Sequence, residues 1–203
     1  MSDTVAGRLV IVSGPSGAGK STVVQELIRR CPLPLKLSVS ATTRPPRPGE
    51  LHGREYLFLA EDEFQRLAAD GEFLECKEVF GRGHWYGTLR RQVATGLEQG
   101  HWVILEIDVQ GALAVMEHVD LEPLSVFIHS GSIERLEQRL RGRGTETDEA
   151  IARRLEVAEA ELTQMHHYDH QIINDEVDRS VDELCHFLQQ TIPDRSDSKC
   201  SKN

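Results

Sequence analysis

The chain has 203 residues, a formal net charge of −10 and an ordinary apolar share of 39%. That length suits one substantial domain with insertions. No apolar run approaches the ~20 residues of a membrane-spanning helix, and the acidic balance argues against a nucleic-acid backbone as partner. Met1-Ser2-Asp3-Thr4 lacks the basic and apolar regions of a secretion signal, so cytoplasmic residence is expected.

The first element is a four-residue apolar run, Leu9-Val10-Ile11-Val12, which reads as a buried strand. Gly14-Pro15-Ser16-Gly17-Ala18-Gly19-Lys20-Ser21 follows and fits G-x-x-x-x-G-K-[ST]. Val23, Val24, Leu27 and Ile28 then recur at helical spacing to about Arg30. Strand, glycine loop and helix arrive in the order a polyphosphate site needs. The glycines let successive backbone N–H groups turn toward a β-phosphate, and the helix N-terminus adds partial positive charge. Lys20 is expected on the β- and γ-phosphates and the Ser21 hydroxyl on Mg²⁺. The bland alternative is a glycine-rich turn capped by Ser21 that binds nothing. The intact flanks weigh against it, and a nucleoside triphosphate is expected here, with Gly14 to Thr22 cradling it.

Further along, Leu35 to Ser40 reads as a short strand and the Pro- and Arg-rich segment Thr42 to Arg54 as an ordered loop. Tyr56 to Leu59 and Phe73 to Phe80 read as strands bracketing a helix from Glu61 to Asp70. A helix from Leu89 to Gln99 ends at Gly100, and Trp102 to Ile107 is a buried strand. Gly111 to Glu117 is predicted helical, Leu124 to His129 a strand, and Ile133 to Arg141 a helix running into Arg141-Gly142-Arg143-Gly144. Asp148 to Met165 is a long helix, Gln171 to Ile173 a last strand, and Val181 to Gln190 a final amphipathic helix. Strands alternating with helices predict an α/β fold with a parallel, doubly wound sheet. The strand-rich stretch of about 39–88 interrupts the alternation and reads as an insertion; residues 193–203 read as a disordered polar tail.

Cys31, Cys76, Cys185 and Cys200 form no C-x-x-C pair and read as buried or incidental thiols of a reducing compartment. His166, His167 and His170 lack zinc-site spacing and read as a solvated cluster. Arginines concentrate at Arg44, Arg47 and Arg54 and again from Arg135 to Arg154, which in an acidic chain suggests small phosphorylated ligands. Three prolines stiffen the loop carrying Arg44 and Arg47, so little entropy is lost when their guanidinium forks grip a phosphate. Solvated arginines on a surface turn are the simpler alternative.

Ser40 through Tyr56 meets S-x-[ST]-T-R-x-P-R-x-G-E-x-x-G-x-x-Y, and the chain here resembles the guanylate kinases. Phe73-Leu74-Glu75, Tyr86-Gly87-Thr88, Ile107-Asp108-Val109-Gln110-Gly111 and Arg141-Gly142-Arg143-Gly144-Thr145-Glu146-Thr147 extend the resemblance from about Gly7 to Leu188. It implies a P-loop NTPase core (about 7–38, 89–130 and 157–190), a GMP-binding insertion (about 39–88) and a helical lid (about 131–156). The implied reaction is ATP + GMP to ADP + GDP with Mg²⁺. ATP and GMP are the implied substrates; use of dGMP and homo-oligomerisation are left open.

By the same resemblance, Arg44, Arg47, Tyr56 and Tyr86 hold the GMP phosphate, and Ser40, Glu75, Thr88 and Asp108 contact guanine. Arg143 and Arg154 reach the transferring phosphoryl group; Arg139 and Asn174 lie near the adenine of ATP. A carboxylate such as Glu75 can accept from both guanine N1–H and its exocyclic amino group, an edge adenine lacks. The alternative for Glu75 is a surface ion pair with Lys77, in phase on the same strand. Glu106-Ile107-Asp108 stands where the family usually has Asp-x-Asp, and His84-Trp85 has no functional account. Two rival readings remain at this point: a non-catalytic interaction module of the same fold, or a related sugar-phosphate kinase.

Overall fold

Apolar residues fill both faces of the first strand, and that decides the architecture. In the computed structural model, which describes residues 7–79, 83–142, 144 and 147–192, β1 (Arg8–Ser13) is buried from Leu9 onward. A strand apolar on both faces needs a layer against each. Leu9 and Ile11 face one side, packed with Val93, Val109, Ala112 and Val115. Those residues come from α3 (Arg90–Glu98) and α4 (Val109–Met116). Val10 and Val12 face the other, packed with Val23, Val24 and Leu27 of α1 (Lys20–Arg30) and Val181, Leu184 and Leu188 of α7 (Val177–Gln190). The sheet is entirely parallel and doubly wound as expected. It also contains β2 (Leu35–Leu37), β7 (Trp102–Glu106), β8 (Leu124–His129) and β9 (His170–Ile173), in the order β2-β7-β1-β8-β9. Crossovers leave to both sides of β1, which opens a crevice at its carboxyl end.

A second, four-stranded sheet, built from residues 41–89, interrupts this alternation. Its order is β4-β3-β6-β5, with β3 (Ala41–Thr42), β4 (Leu57–Phe58), β5 (Phe73–Val79) and β6 (His84–Leu89). Phe64 of α2 (Glu61–Ala69) stacks on Phe73, ring centroids 4.5 Å apart, and with Ala41 and Leu89 makes a separate small core. Gly87 of β6 is obligatory for contact reasons. A Cβ there would lie 2.8 Å from both Cys76 Cβ and Phe73, and 2.9 Å from the Glu75 carbonyl. A helical hairpin, α5 (Ile133–Gly142) and α6 (Asp148–Leu162), closes its own seam with Leu136, Leu140, Ile151 and Ala158. Leu136 and Leu140 also pack over Gly17, so α5 roofs the glycine loop. No helix among the described residues is long and apolar enough to cross a membrane.

Several expectations are corrected. The predicted strand Leu35 to Ser40 breaks after Leu37, because the chain leaves one sheet and enters the other at Ala41. The predicted loop Thr42 to Arg54 therefore begins inside β3. Residues 84–88 form a strand that no periodicity announced, since Gly87 and a short His-Trp-Tyr run carry no alternation. Trp85 packs its ring near Phe64, and its backbone N–H donates to Thr43 Oγ1 at 2.9 Å. The final helix starts at Val177 rather than Val181.

The cysteine reading also fails in part. Cys31, capping the end of α1, is disulfide-bonded to Cys185 of α7, with Cα atoms 5.7 Å apart. The two helices share one face of the sheet, and a pairing across 154 residues leaves no trace in local spacing. Cys76 is free. His170 is not solvated either; it stacks on Phe187 and bonds Glu183 at 3.1 Å. Phe80, Arg143, Cys200 and the expected polar tail of 193–203 lie outside the described residues.

Candidate active site

The phosphate loop emerges from β1 at the crevice, and its shape is dictated by backbone contacts. Gly14, Gly17 and Gly19 have φ of 132°, 96° and 91°, values that L side chains rarely adopt. At Gly14 a Cβ would lie 2.0 Å from the Ile128 carbonyl oxygen, so the loop can pass β8 only without a side chain. Gly19 caps α1 with no side-chain partner, and the first turn holds no acidic residue. The open N–H groups and the helix dipole therefore face the pocket unopposed. That pocket, about 260 Å³, is lined by Ser16, Gly17, Gly19, Lys20, Ser21, Thr22 and Glu106.

Lys20 folds back onto the loop, its Nζ donating to the carbonyls of Gly14 (2.6 Å) and Pro15 (3.1 Å). Burial pushes its ammonium down, while Glu106, Glu161 and Asp108 pull it back up. The Ser21 hydroxyl donates to Glu106 Oε1. The longer side chain at 106 thus brings its carboxylate to the residue expected on Mg²⁺. A hydroxyl and a carboxylate in an open, phosphate-shaped pocket are the hard oxygen donors that Mg²⁺ prefers, so the residues fit the cation.

Arg139 and Asn174 do meet, and they meet on the loop itself. Asn174, buried, donates to the Ala18 carbonyl at 2.7 Å, and Arg139 donates to the same oxygen at 3.1 Å and to the Asn174 carbonyl. They pin the loop from behind, and a second cleft opens beside them between Arg139, Arg135, Gln138 and Asp175. Arg154 is half-buried on α6; Arg141 is bound up with Glu137 and Asp148.

The second sheet gathers the other predicted residues. Arg44 donates from Nε to Tyr86 Oη at 3.1 Å, and its guanidinium lies over the Tyr56 ring at 5.4 Å. Tyr56 and Tyr86 are edge to face at 5.8 Å. Arg44 is held by a residue with no assigned role: Glu50 takes both guanidinium nitrogens, each at 3.0 Å, and also the Arg47 N–H at 2.7 Å. The motif contained Glu50, yet a proline-stiffened loop gives no spacing rule that would predict the fork. The Arg47 side chain is exposed.

Glu75 and Thr88 face each other across β5 and β6, the Thr88 hydroxyl donating to Glu75 Oε1 at 2.7 Å. Burial pushes the Glu75 carboxyl up, the Thr88 bond draws it down, Asp108 raises it and Lys77 lowers it. The surface pair expected as the alternative, Glu75 with Lys77, does not form. Lys77 instead pairs with Asp108, whose other oxygen caps α4 by accepting from the Gly111 N–H at 2.9 Å. Ser40 lies half-buried where the chain enters β3. Glu161 of α6 was missed by sequence reasoning. Burial lifts its carboxyl to about 7 despite Lys20 and Lys77, and Asp108 adds to the rise. Seven residues separate it from Arg154, two helical turns along one stripe of α6.

Comparison with known proteins identifies a family of similar sequence and fold. The family model for guanylate kinase matches residues 6–191. A guanylate kinase of Rhodopirellula baltica is 56% identical over 197 residues, covering 97% of this chain and 93% of that protein. One from Caldanaerobacter subterraneus subsp. tengcongensis is 45% identical over 184 residues, 91% of this chain and 87% of the relative. The crystal structure of guanylate kinase from Anaplasma phagocytophilum superposes with a TM-score of 0.75 at 31% identity, covering 95% and 89% of the two chains. A phosphate loop, a half-buried carboxylate bonded to Thr88 on the second sheet, and a match along nearly the whole length lead to one conclusion: this chain belongs to the guanylate kinase family.

Proposed function

We infer that the chain phosphorylates GMP at the expense of ATP, yielding ADP and GDP. The observation that carries this is the presence of two unlike groups in one chain: a glycine loop ending in Lys20 and Ser21, and on the second sheet a carboxylate, Glu75, bonded by Thr88, together with a cluster of Arg44, Tyr56 and Tyr86. In this reading residues 39–88 are the GMP-binding insertion, 131–156 the lid, and 7–38, 89–130 and 157–190 the core. The reaction belongs to nucleotide metabolism in the cytoplasm.

The acceptor is a phosphate oxygen, largely deprotonated near neutral pH because its second pKa is about 6. No general base is required. The obstacle is the repulsion of two anionic groups that must meet in line. Lys20 leaves the Gly14 and Pro15 carbonyls to reach the β- and γ-phosphates, while Gly14 to Thr22 wrap them. Ser21 would hold Mg²⁺ together with phosphate oxygens and water, next to Glu106. When bound, the cation neutralises charge between the β- and γ-phosphates. Arg44, Arg47, Tyr56 and Tyr86 grip the GMP phosphate. Glu50 holds the Arg44 guanidinium in one place before GMP arrives, which lowers the entropic cost of binding.

Ser40, Glu75, Thr88 and Asp108 read guanine, whose two adjacent donors suit the Glu75 oxygens. AMP would offer no donor pair to that carboxylate beyond the Thr88 bond it already has, a costly mismatch. Arg143 and Arg154 bring positive charge onto the moving phosphoryl group as the lid closes and expels water. Arg139 and Asn174 fix the loop from the adenine side. A coupled ADP-release assay with GMP, AMP and a ribose phosphate as acceptors tests the reading. Turnover with GMP alone is expected; equal turnover with AMP, or none with any acceptor, would overturn it.

A further inference from the structure

Lys77 has no task in phosphate binding, yet it stands where the second sheet meets the core. It leaves β5 two residues after Glu75, so both side chains rise from the same face of the strand. Its ammonium forms an ion pair with Asp108 and lies 3.4 Å from Gln110 Oε1, both on the far side of the junction at the start of α4. The same turn of α4 touches Glu75 directly, since a Cβ on Gly111 would lie 3.1 Å from Glu75 Oε2. Two carboxylates assigned to one base thus converge at this turn, with Lys77 paired to one of them.

The acidic crowding is wider than this pair. Glu75 faces Asp108 from the start of α4, Thr88 from β6 and Lys77 on its own strand, and its charge is felt by neighbouring Cys76. Glu161 on α6 feels Asp108 and Lys77 as well. Carboxylates packed this closely resist ionisation unless a cation offsets them. The Lys77 and Asp108 side chains retain 28% and 35% of their exposure, so their pairing is less screened than a surface contact.

We propose that Lys77 is a positioning and specificity-determining residue for GMP: its ammonium fixes the Asp108 carboxylate across the junction and supplies the countercharge for Glu75, so that both acceptors face the guanine edge. The proposal rests on the guanine reading of Glu75 and Asp108 given above. Its consequence is selective. Replacing the ammonium with an apolar chain of similar length should harm base binding and leave the phosphate machinery intact. It should also make Glu75 harder to ionise, which moves the acid limb of GMP binding to higher pH.

The test compares Lys77→Met and Lys77→Arg with the unaltered chain and with Glu75→Gln, after thermal melts establish that each is folded. Lys77→Met should raise the KM for GMP about fivefold at pH 7, in line with a half-buried ion pair. kcat and the KM for ATP should stay within about twofold, since no contact with the triphosphate is lost. The pH below which the KM for GMP climbs should shift upward in Lys77→Met, and Lys77→Arg should restore both the KM and the pH limb. An unchanged KM and pH limb in Lys77→Met would overturn the proposal, as would equal losses toward GMP and ATP. If Glu75→Gln itself leaves GMP binding untouched, the guanine reading fails first. If Glu75→Gln weakens GMP and Lys77→Met does not, the role of Lys77 alone is refuted.

Discussion

Glu75→Gln isolates base recognition from everything else in the pocket. The substitution keeps the shape, and the remaining side-chain oxygen can still accept from Thr88, which now donates at 2.7 Å. What changes is the other end. A carboxylate accepts twice from guanine, whereas an amide accepts once and turns an N–H₂ toward a donor. A hydrogen bond to a charged group contributes about 1.5–3 kcal/mol, and an opposed donor costs a further ~1–3 kcal/mol. Together these give roughly 2.5–6 kcal/mol, or a loss of about 10²- to 10⁴-fold in kcat/KM for GMP. Stability should not suffer, because burial already disfavours the ionised Glu75, and a neutral amide removes that penalty. Steady-state kinetics with GMP and AMP, together with a thermal melt, make the comparison. The expected result is a large loss with GMP, no loss with AMP, an unchanged KM for ATP and an unchanged or higher Tm. An equal loss toward both acceptors, or a change of less than about twofold with GMP, would refute the base-reading role.

Three further outcomes are expected. Lys20→Met should lower kcat by at least about 10²-fold, the scale of removing one donor from a developing anion, while GMP binding measured by calorimetry persists. Reduction of Cys31–Cys185, or Cys185→Ala, should lower Tm by about 5–15 °C, from the ~2–4 kcal/mol typical of a native bridge. kcat should stay within about twofold, because Cys31 caps the end of α1 about 16 Å from the phosphate loop; a collapse of activity at unchanged Tm would contradict that separation. Glu161, with its carboxyl at about 7 against an ordinary 4.5, binds its proton more tightly folded than unfolded. That contribution to stability is complete below about pH 4.5 and lost as pH rises through about 7. Glu161→Gln should therefore raise Tm more at pH 8 than at pH 5, and an identical difference at both would refute the shift.

How much of this was legible in the sequence follows from how far each interaction reaches. The phosphate loop was wholly legible, because Gly14, Gly17, Gly19, Lys20 and Ser21 answer to contacts within a few residues of one another. The parallel sheet was legible from Leu9 to Val12 and its successors, whose unbroken apolarity demands cover on two faces. Arg44, Glu75 and Asp108 were legible only as members of a family pattern. What they do before ligand arrives was not, since Glu50, Thr88 and Lys77 choose among several partners through side-chain geometry. The misplaced Leu35 to Ser40 strand and the unseen His84 to Leu89 strand share one cause. At both, tertiary pairing rather than alternation sets where the strand ends. Cys31 and Cys185 were unreadable for a related reason, being neighbours only once α1 and α7 lie side by side.

If the proposed function holds, the chain binds two nucleotides at once, a triphosphate on the glycine loop and guanine monophosphate on the second sheet. Calorimetric titration of GMP, and separately AMP, into the chain saturated with a non-hydrolysable ATP mimic and Mg²⁺ tests it most directly. One GMP should bind per chain, at least about 10²-fold tighter than AMP, with that preference lost in Glu75→Gln. Absence of GMP binding to the ATP-loaded chain, or equal affinity for AMP, would contradict it.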